Sequence, residues 1–558
     1  MKKLNHLLVL ILVAGVTFYS CEGVEDSLVD DRLEDNPAPT APPAPSGSQG
    51  NADYTKFVSI GNSLTAGFMD AALYNQGQQS SLGALIAAQL KIAVESDGGT
   101  FDEFNQPDIN SVNGFNTSIQ PDNDPTTAPA FGRIKLDLVA GVPSPTINGD
   151  PIGAYSGTIS SLNNFGIPGI QVGQMLTAGA GTPGDPAFSP FYARMASSPG
   201  TSTILGDVIA TQPTFFTLWI GNNDILGYAA TGGSNEAIFT SEGDFNTRFN
   251  AVVDALMANT SAKGVIANIP PVTTAPFFRA VTWNNVALDQ ATADQINSGF
   301  AAVNGAIQGC ANVGVAQSDI DRRLVSYNAG NNPILAIDEE LDDLGTCFDL
   351  LLGAQQISAQ QRAQLTPYEQ SRPLVEGELV LLSAGSVLGT EADGDASTAD
   401  TPIGVVIPLG FSLAEGSLSG DKYYLSLAEQ AAIQSRSVAF NTTIATAVLS
   451  RTDGRLGLFD TNAGLPGNPN ITLGVFADLL GLDGELGIEI EGTLLDPDFL
   501  PNGIYSTDGI HPNIRGNAIL ANEFLKVMEG TFGSTIPKVS VIAKPGITAC
   551  SGDCVSEQ

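Results

Sequence analysis

Phe57-Val58-Ser59-Ile60-Gly61-Asn62-Ser63-Leu64-Thr65 opens the folded part of the chain, and its reading decides the fold. Phe57 to Ile60 is a short apolar run that stops at Gly61 and then presents the hydroxyl of Ser63. A strand that breaks at glycine and hands a serine to the first turn of a helix exposes that hydroxyl at the edge of a sheet. Taken singly, Ser63 reads better as a helix cap. A catalytic reading needs a base, because a serine hydroxyl is a poor nucleophile until its proton is taken.

The sequence holds two histidines. His6 lies in a targeting segment, which leaves His511, in Ser506-Thr507-Asp508-Gly509-Ile510-His511-Pro512-Asn513. Asp508 stands three residues before it, within reach of the imidazole in a tight turn or a first helical turn. There a carboxylate would fix the histidine tautomer and stabilise the imidazolium. The competing reading makes Asp508 a cap of the C-terminal helix and His511 a surface residue.

Between these ends the chain alternates strands and helices. Strands are expected at 56–60, 214–220, 264–269 and 455–460, each a short apolar, β-rich run. Helical spacing is found in Leu82, Leu85, Ile86 and Leu90, and again in Phe245, Phe249, Val252 and Leu256. Ser426 and Glu429 form a capping-box pair ahead of Ile433, Phe440, Ile444 and Val448, and a last helix follows His511 around 515–529. Residues 93–160 read as a long loop region, and Asn163–Gly169 as a turn with two glycines. Alternation of this kind implies an α/β fold of three layers, α/β/α, with a parallel sheet covered on both faces.

The regular pattern fails between about 279 and 420. This stretch is expected to be an insertion, either a lid or a subdomain. Its apolar runs, Leu379–Leu382 and Val405-Val406-Ile407, either wall a pocket or fill a core of their own. The core is then split into 53–278 and 421–536, with a tail at 537–558.

Four punctuated breaks occur in order: Gly-Asn-Ser-Leu at 61–64, Asn164 with Gly169, Gly-Asn-Asn-Asp at 221–224, and Asp-Gly-Ile-His at 508–511. This set resembles the SGNH, or GDSL, hydrolase family, whose blocks supply a serine, a glycine, an asparagine and a histidine. The resemblance covers most of 53–278 and 421–530 but not the insertion. It implies a flavodoxin-like α/β fold and a serine hydrolase cleaving carboxylic esters, with Ser63, His511 and Asp508 catalytic. It also implies an oxyanion hole built from the Ser63 N–H, the Gly169 N–H and the Asn223 side chain. Gly166 competes for the glycine role, but Gly169 has the spacing from Asn164 that the family block uses. By themselves, Asn223 and Asp224 read as turn residues. Asn62 departs from the family's aspartate: it keeps the shape and an accepting oxygen but drops the charge.

Composition limits the alternatives. With 43% hydrophobic and 15% charged residues the chain is a folding one, and a net charge of −36 leaves no cationic surface for nucleic acid. Lys2 and Lys3 precede an apolar run from Leu7 to Tyr19, the anatomy of a signal peptide over 1–20. The run ends at Ser20-Cys21, which resembles a bacterial lipoprotein signal with Cys21 acylated. The acidic residues after it resemble a surface-export signal of Bacteroidota lipoproteins. Residues 21–52 then form an acidic, proline-rich tether. Export and a lipid anchor in the outer membrane, facing the periplasm or the cell surface, are the expectation.

An exported chain can carry disulfides. Cys310, Cys347, Cys550 and Cys554 allow three pairings, and 310–347 with 550–554 separate by position. No histidine lies near them, so no metal or other cofactor is expected. The expected partners are an ester substrate, either an acyl lipid or an acetylated glycan, and a membrane reached through the anchor. The alternatives to a lipase or esterase are a carbohydrate O-acetylesterase and a non-catalytic binding lipoprotein on the same scaffold.

Overall fold

The computed structural model describes residues 45–117, 131–139, 142–392, 401–412, 417–418, 422–466, 468, 474–482, 485–550 and 554. The expected signal segment, Cys21 and most of the expected tether lie outside the described residues. The chain divides into Met1–Ser46 and Gly47–Gln558, and every element named below belongs to the second unit.

Five strands form the central sheet: β1 (Phe57–Gly61), β2 (Asn164–Gly166), β3 (Phe215–Trp219), β4 (Lys263–Ala267) and β5 (Leu456–Phe459), in the order β2-β1-β3-β4-β5. Every pairing in it is parallel. Strand periodicity sends alternate side chains to opposite faces. Val58, Ile60, Phe216, Leu218 and Ile266 enter one core, while Phe57, Phe215, Trp219, Val265 and Ala267 enter the other. Each large apolar side chain so buried contributes about 1.5–3 kcal/mol. Because both faces are covered, these strands read in sequence as near-continuous apolar runs.

Helices close both faces, giving mixed α/β architecture in three layers. The first core is covered by α4 (Glu242–Asn259) and α5 (Leu427–Leu449). The second is covered by α2 (Leu82–Ser96) and α6 (Ile514–Phe532). The Ser426–Glu429 capping box forms at the start of α5 as the sequence predicts. Two shorter helices complete the core elements, α1 (Ser63–Ala66) and α3 (Asn223–Ala230).

The strand order reverses direction between β1 and β3. In an open parallel sheet, loops leaving the carboxyl ends of strands diverge at such a point and open a crevice. Ser63 follows β1 and Asn223 follows β3, so both candidate residues stand at this crevice.

Several expectations are corrected. Asn164–Gly166, expected to be turn, is the edge strand β2; a three-residue strand is too short to show periodicity. The long loop region contains a hairpin, Ile134–Asp137 paired with Val142–Pro145. The C-terminal segment, 537–558, packs on the sheet domain where it is described: Val539 and Val541 are buried in the second core. Leu136 of the hairpin bridges to Ala549 of this segment, and Thr146, just after the hairpin, to Cys554.

The insertion has its own packing. Val380 is buried with Val286, Ile334, Leu409 and Tyr424, and Ile407 with Ile337 and Phe411. Leu381 reaches the first core of the sheet. Tyr424–Leu425 pairs with Leu379–Val380, and Leu425, like Leu381, is buried in the first core of the sheet. Cys310 is bonded to Cys347 within the insertion, and Cys550 to Cys554 in the C-terminal segment.

Candidate active site

β1 ends where the chain must pass close to its neighbours. A Cβ on Gly61 would lie 2.4 Å from the carbonyl oxygen of Trp219 and 2.3 Å from Thr65 Oγ1, so only glycine fits. Asn62 then caps α1 by accepting from Leu64 N–H at 3.1 Å, and Ser63 is the first helical residue, not the cap. The Asn62 side chain also donates to Asn222 Oδ1 at 3.0 Å. The residue before Ser63 and the residue before Asn223 are thereby tied together.

His511 arrives from the far end of the chain. Its Nε2 is 2.9 Å from Ser63 Oγ, and its Nδ1 is 3.0 Å from Asp508 Oδ2. The loop that carries it is closed by Ser506 N–H donating to the His511 carbonyl at 2.7 Å. Gly509 turns the loop at φ 72°, where an added Cβ would meet Phe277 N at 3.0 Å. Phe277 N–H donates to the Gly509 carbonyl at 2.9 Å. The Phe68 ring lies 5.0 Å from the imidazole, centroid to centroid. Asp508 does not cap α6, because Asn513 does, accepting from Arg515 and Gly516 N–H.

Asp508 is fully engaged. Oδ1 accepts the N–H groups of Ile510 and His511, each at 2.9 Å. Oδ2 accepts Ala71 N–H at 2.9 Å in addition to facing the imidazole. Burial alone would raise its pKa, but His511, through charge and hydrogen bonds, and the Ala71 N–H outweigh that and hold it at about 2. The group is therefore an anion beside the histidine across the working pH range.

Comparison with family models, curated proteins and solved structures gives no match. The site has to be read from its own residues.

Asn223 stands on the first turn of α3 and shares a cleft with Ser63 and His511. One of its amide hydrogens goes to the Ile170 carbonyl at 2.8 Å, which fixes the amide plane. Gly169, next to Ile170, is exposed with φ 79° and is not among the residues lining that cleft. Its loop is docked on β1 through Ile167 N–H, which donates to the Gly61 carbonyl at 2.9 Å. Asp224, beside Asn223, is buried and accepts from Val172 N–H and the Thr240 hydroxyl. Burial pushes its pKa up to about 6, against those bonds.

The cleft has a volume of about 790 Å³, counting the solvent at its mouth. Its polar edge is Asn62, Ser63, Asn222, Asn223 and His511, and the rest is almost wholly apolar. Leu226, Val272, Phe476, Leu479, Ile519 and Leu520 make that wall. The runs Leu379–Leu382 and Val405–Ile407 were expected either to wall a pocket or to fill a core of their own; none of them lines the cleft. Among the described residues none of the insertion lines the cleft; Pro270, Pro271, Val272, Thr274 and Ala275, just ahead of it, do. Phe476 and Leu479, on the short helix Val475–Leu479, are functional candidates that sequence reasoning missed. The apolar run Val475-Phe476-Ala477-Asp478-Leu479-Leu480 was the available signal.

Proposed function

We propose that this protein is a serine hydrolase of the SGNH/GDSL type that cleaves carboxylic esters, and that apolar acyl esters are its substrates. The observation that carries this reading is the unbroken chain Asp508–His511–Ser63, with contacts of 3.0 and 2.9 Å, at the mouth of an apolar cleft.

The steps follow from the geometry. His511 Nε2 takes the proton of Ser63 Oγ as that oxygen attacks the ester carbonyl carbon. Asp508, held ionised, fixes the proton on Nδ1 and stabilises the imidazolium. Negative charge gathers on the former carbonyl oxygen, where the Ser63 and Gly169 N–H groups and the Asn223 amide are the proposed donors. A donor of this kind is worth about 3–4 kcal/mol in the transition state. His511 then protonates the leaving alcohol, and a water activated by the same imidazole hydrolyses the acyl-enzyme.

The wall of the cleft separates the two enzyme readings. A glycan presents hydroxyls that need polar partners, and burying them against Leu226, Phe476 and Leu479 would leave them unpaired, at about 1–3 kcal/mol each. An acyl chain gains from the same wall. Fluorogenic esters from acetyl to palmitoyl test the proposal, with Ser63→Ala as control. Hydrolysis lost in Ser63→Ala and rising from acetyl toward medium chains supports it; no hydrolysis, or turnover unaffected by Ser63→Ala, ends it. The lipid anchor at Cys21 is proposed alongside, on the residues of the signal alone.

A further inference from the structure

Asp508 takes one of its hydrogen bonds from a distant part of the chain. Ala71 N–H donates to the same oxygen, Oδ2, that faces His511 Nδ1. Ala71 and Asp70 both have positive φ, 59° and 56°. They are the central residues of a turn in which Met69 and Ala72 exchange backbone hydrogen bonds at 3.2 and 3.1 Å. Two consecutive left-handed residues are what a type I′ turn requires, and glycine or asparagine ordinarily supplies them. An alanine there costs about 1–2 kcal/mol.

The surroundings over-determine this conformation. Asp70 N–H donates to Ser506 Oγ at 3.0 Å, and the carbonyls of Asp70 and Ala71 accept from Ile134 and Thr117 N–H. The Asp70 carboxylate holds the other side. Oδ1 accepts both the N–H and the hydroxyl of Thr507, at 3.0 and 2.8 Å. Oδ2 accepts the Tyr74 hydroxyl at 2.7 Å, and Arg133 lies 3.9 Å away with its guanidinium over the Tyr74 ring. Asp70 is buried and does not line the cleft, so it touches no substrate. Strain that persists only because several partners enforce it is a mark of a positioned functional element.

We propose that Asp70 is a positioning residue for the acid of the triad: by binding Thr507, next to Asp508, it holds the Met69–Ala72 turn so that Ala71 N–H is delivered to Asp508 Oδ2. The carboxylate is then gripped on the edge that meets His511 and cannot swing away from Nδ1. The kinetic consequence rests on the esterase reading; the geometric one does not.

Two readouts on the full chain test it. The first is kcat and KM on a short-chain fluorogenic ester. The second is the low-field proton resonance of His511 Nδ1–H, read with ¹⁵N-labelled histidine. Asp70→Ala, folded by circular dichroism, is expected to lower kcat by about 10²-fold at nearly unchanged KM, the scale of a small misplacement of a catalytic group. The low-field resonance should be lost. Asp70→Asn keeps one oxygen for both Thr507 donors and should restore the resonance and bring kcat within about threefold of the native value.

Unchanged kcat and an unchanged resonance in folded Asp70→Ala would overturn the proposal, as would a failure of Asp70→Asn to recover either. If Asp70→Ala does not fold, Thr507→Val removes the hydroxyl's contacts with Asp70 Oδ1 and the Ile134 carbonyl but keeps the Thr507 N–H bond to Asp70, and the same two readouts decide. A native protein that shows the resonance but hydrolyses no ester would refute the esterase reading while the resonance still decides the role of Asp70.

Discussion

The side-chain amide of Asn62 donates to Oδ1 of Asn222 at 3.0 Å, and its own oxygen caps α1 through Leu64 N–H. A carboxylate at position 62 could keep the cap but could not donate. Asparagine at this position is therefore matched by an acceptor on the β3 side, and it links the turn of Ser63 to the turn of Asn223. Asn62→Ala should lose about 1 kcal/mol from the cap alone, together with the tie to Asn222. A lower Tm and a lower kcat are the expected outcome; thermal melts with initial rates check it.

Ser63→Ala and His511→Ala should each lower kcat by about 10⁴-fold or more while the protein stays folded. Apart from His6 the sequence holds no second histidine to stand in for His511. Near-native turnover in either variant would remove the mechanism.

Asp508→Asn should also cost about 10⁴-fold in kcat, since an amide holds the wrong tautomer. Its effect on stability has a definite sign. The folded pKa of about 2 lies below the ordinary 3.8, so ionised Asp508 stabilises the fold above pH 4. That contribution, about 2 kcal/mol by linkage, is lost as pH falls from about 4 through 2. Urea melts across that range should show the loss in the native protein and not in Asp508→Asn.

Asp224 has the opposite sign. Burial raises its pKa from 3.8 to about 6, so its contribution is full below pH 4 and fades as pH rises through 6. Asparagine at this position can accept from Val172 N–H and donate to Thr240 Oγ1. Between pH 4 and pH 7, Asp224→Asn should gain on the native protein by about 3 kcal/mol. Parallel melts at the two pH values would show it.

Leu226 stands half-exposed on the cleft wall. Leu226→Trp should fill space beside Ser63 and lower kcat/KM for octanoyl esters about tenfold, leaving acetyl esters nearly unchanged. An equal loss on both would place the acyl chain elsewhere.

The sequence by itself marked the candidate residues of the site and the long elements. Few residue types can act as nucleophile, base and acid, and of the two histidines only His511 has an aspartate three residues before it. β1, β3 and β4 were legible because strands buried on both faces read as apolar runs, and α5 because its capping box is local.

What depends on contacts between distant segments was decided only by the tertiary structure. β2 is three residues held by the edge of β1. The cleft wall comes from segments hundreds of residues apart, and the apolar runs of the insertion turned inward because burial in a local core was open to them. Ala71 N–H meets Asp508 across a sequence separation of 437. Nothing in Met69-Asp70-Ala71-Ala72 announces that, because a strained turn of ordinary residues has no sequence signature. Its conformation is set by Ser506, Thr507, Ile134 and Thr117, partners that only the folded chain brings within hydrogen-bonding distance.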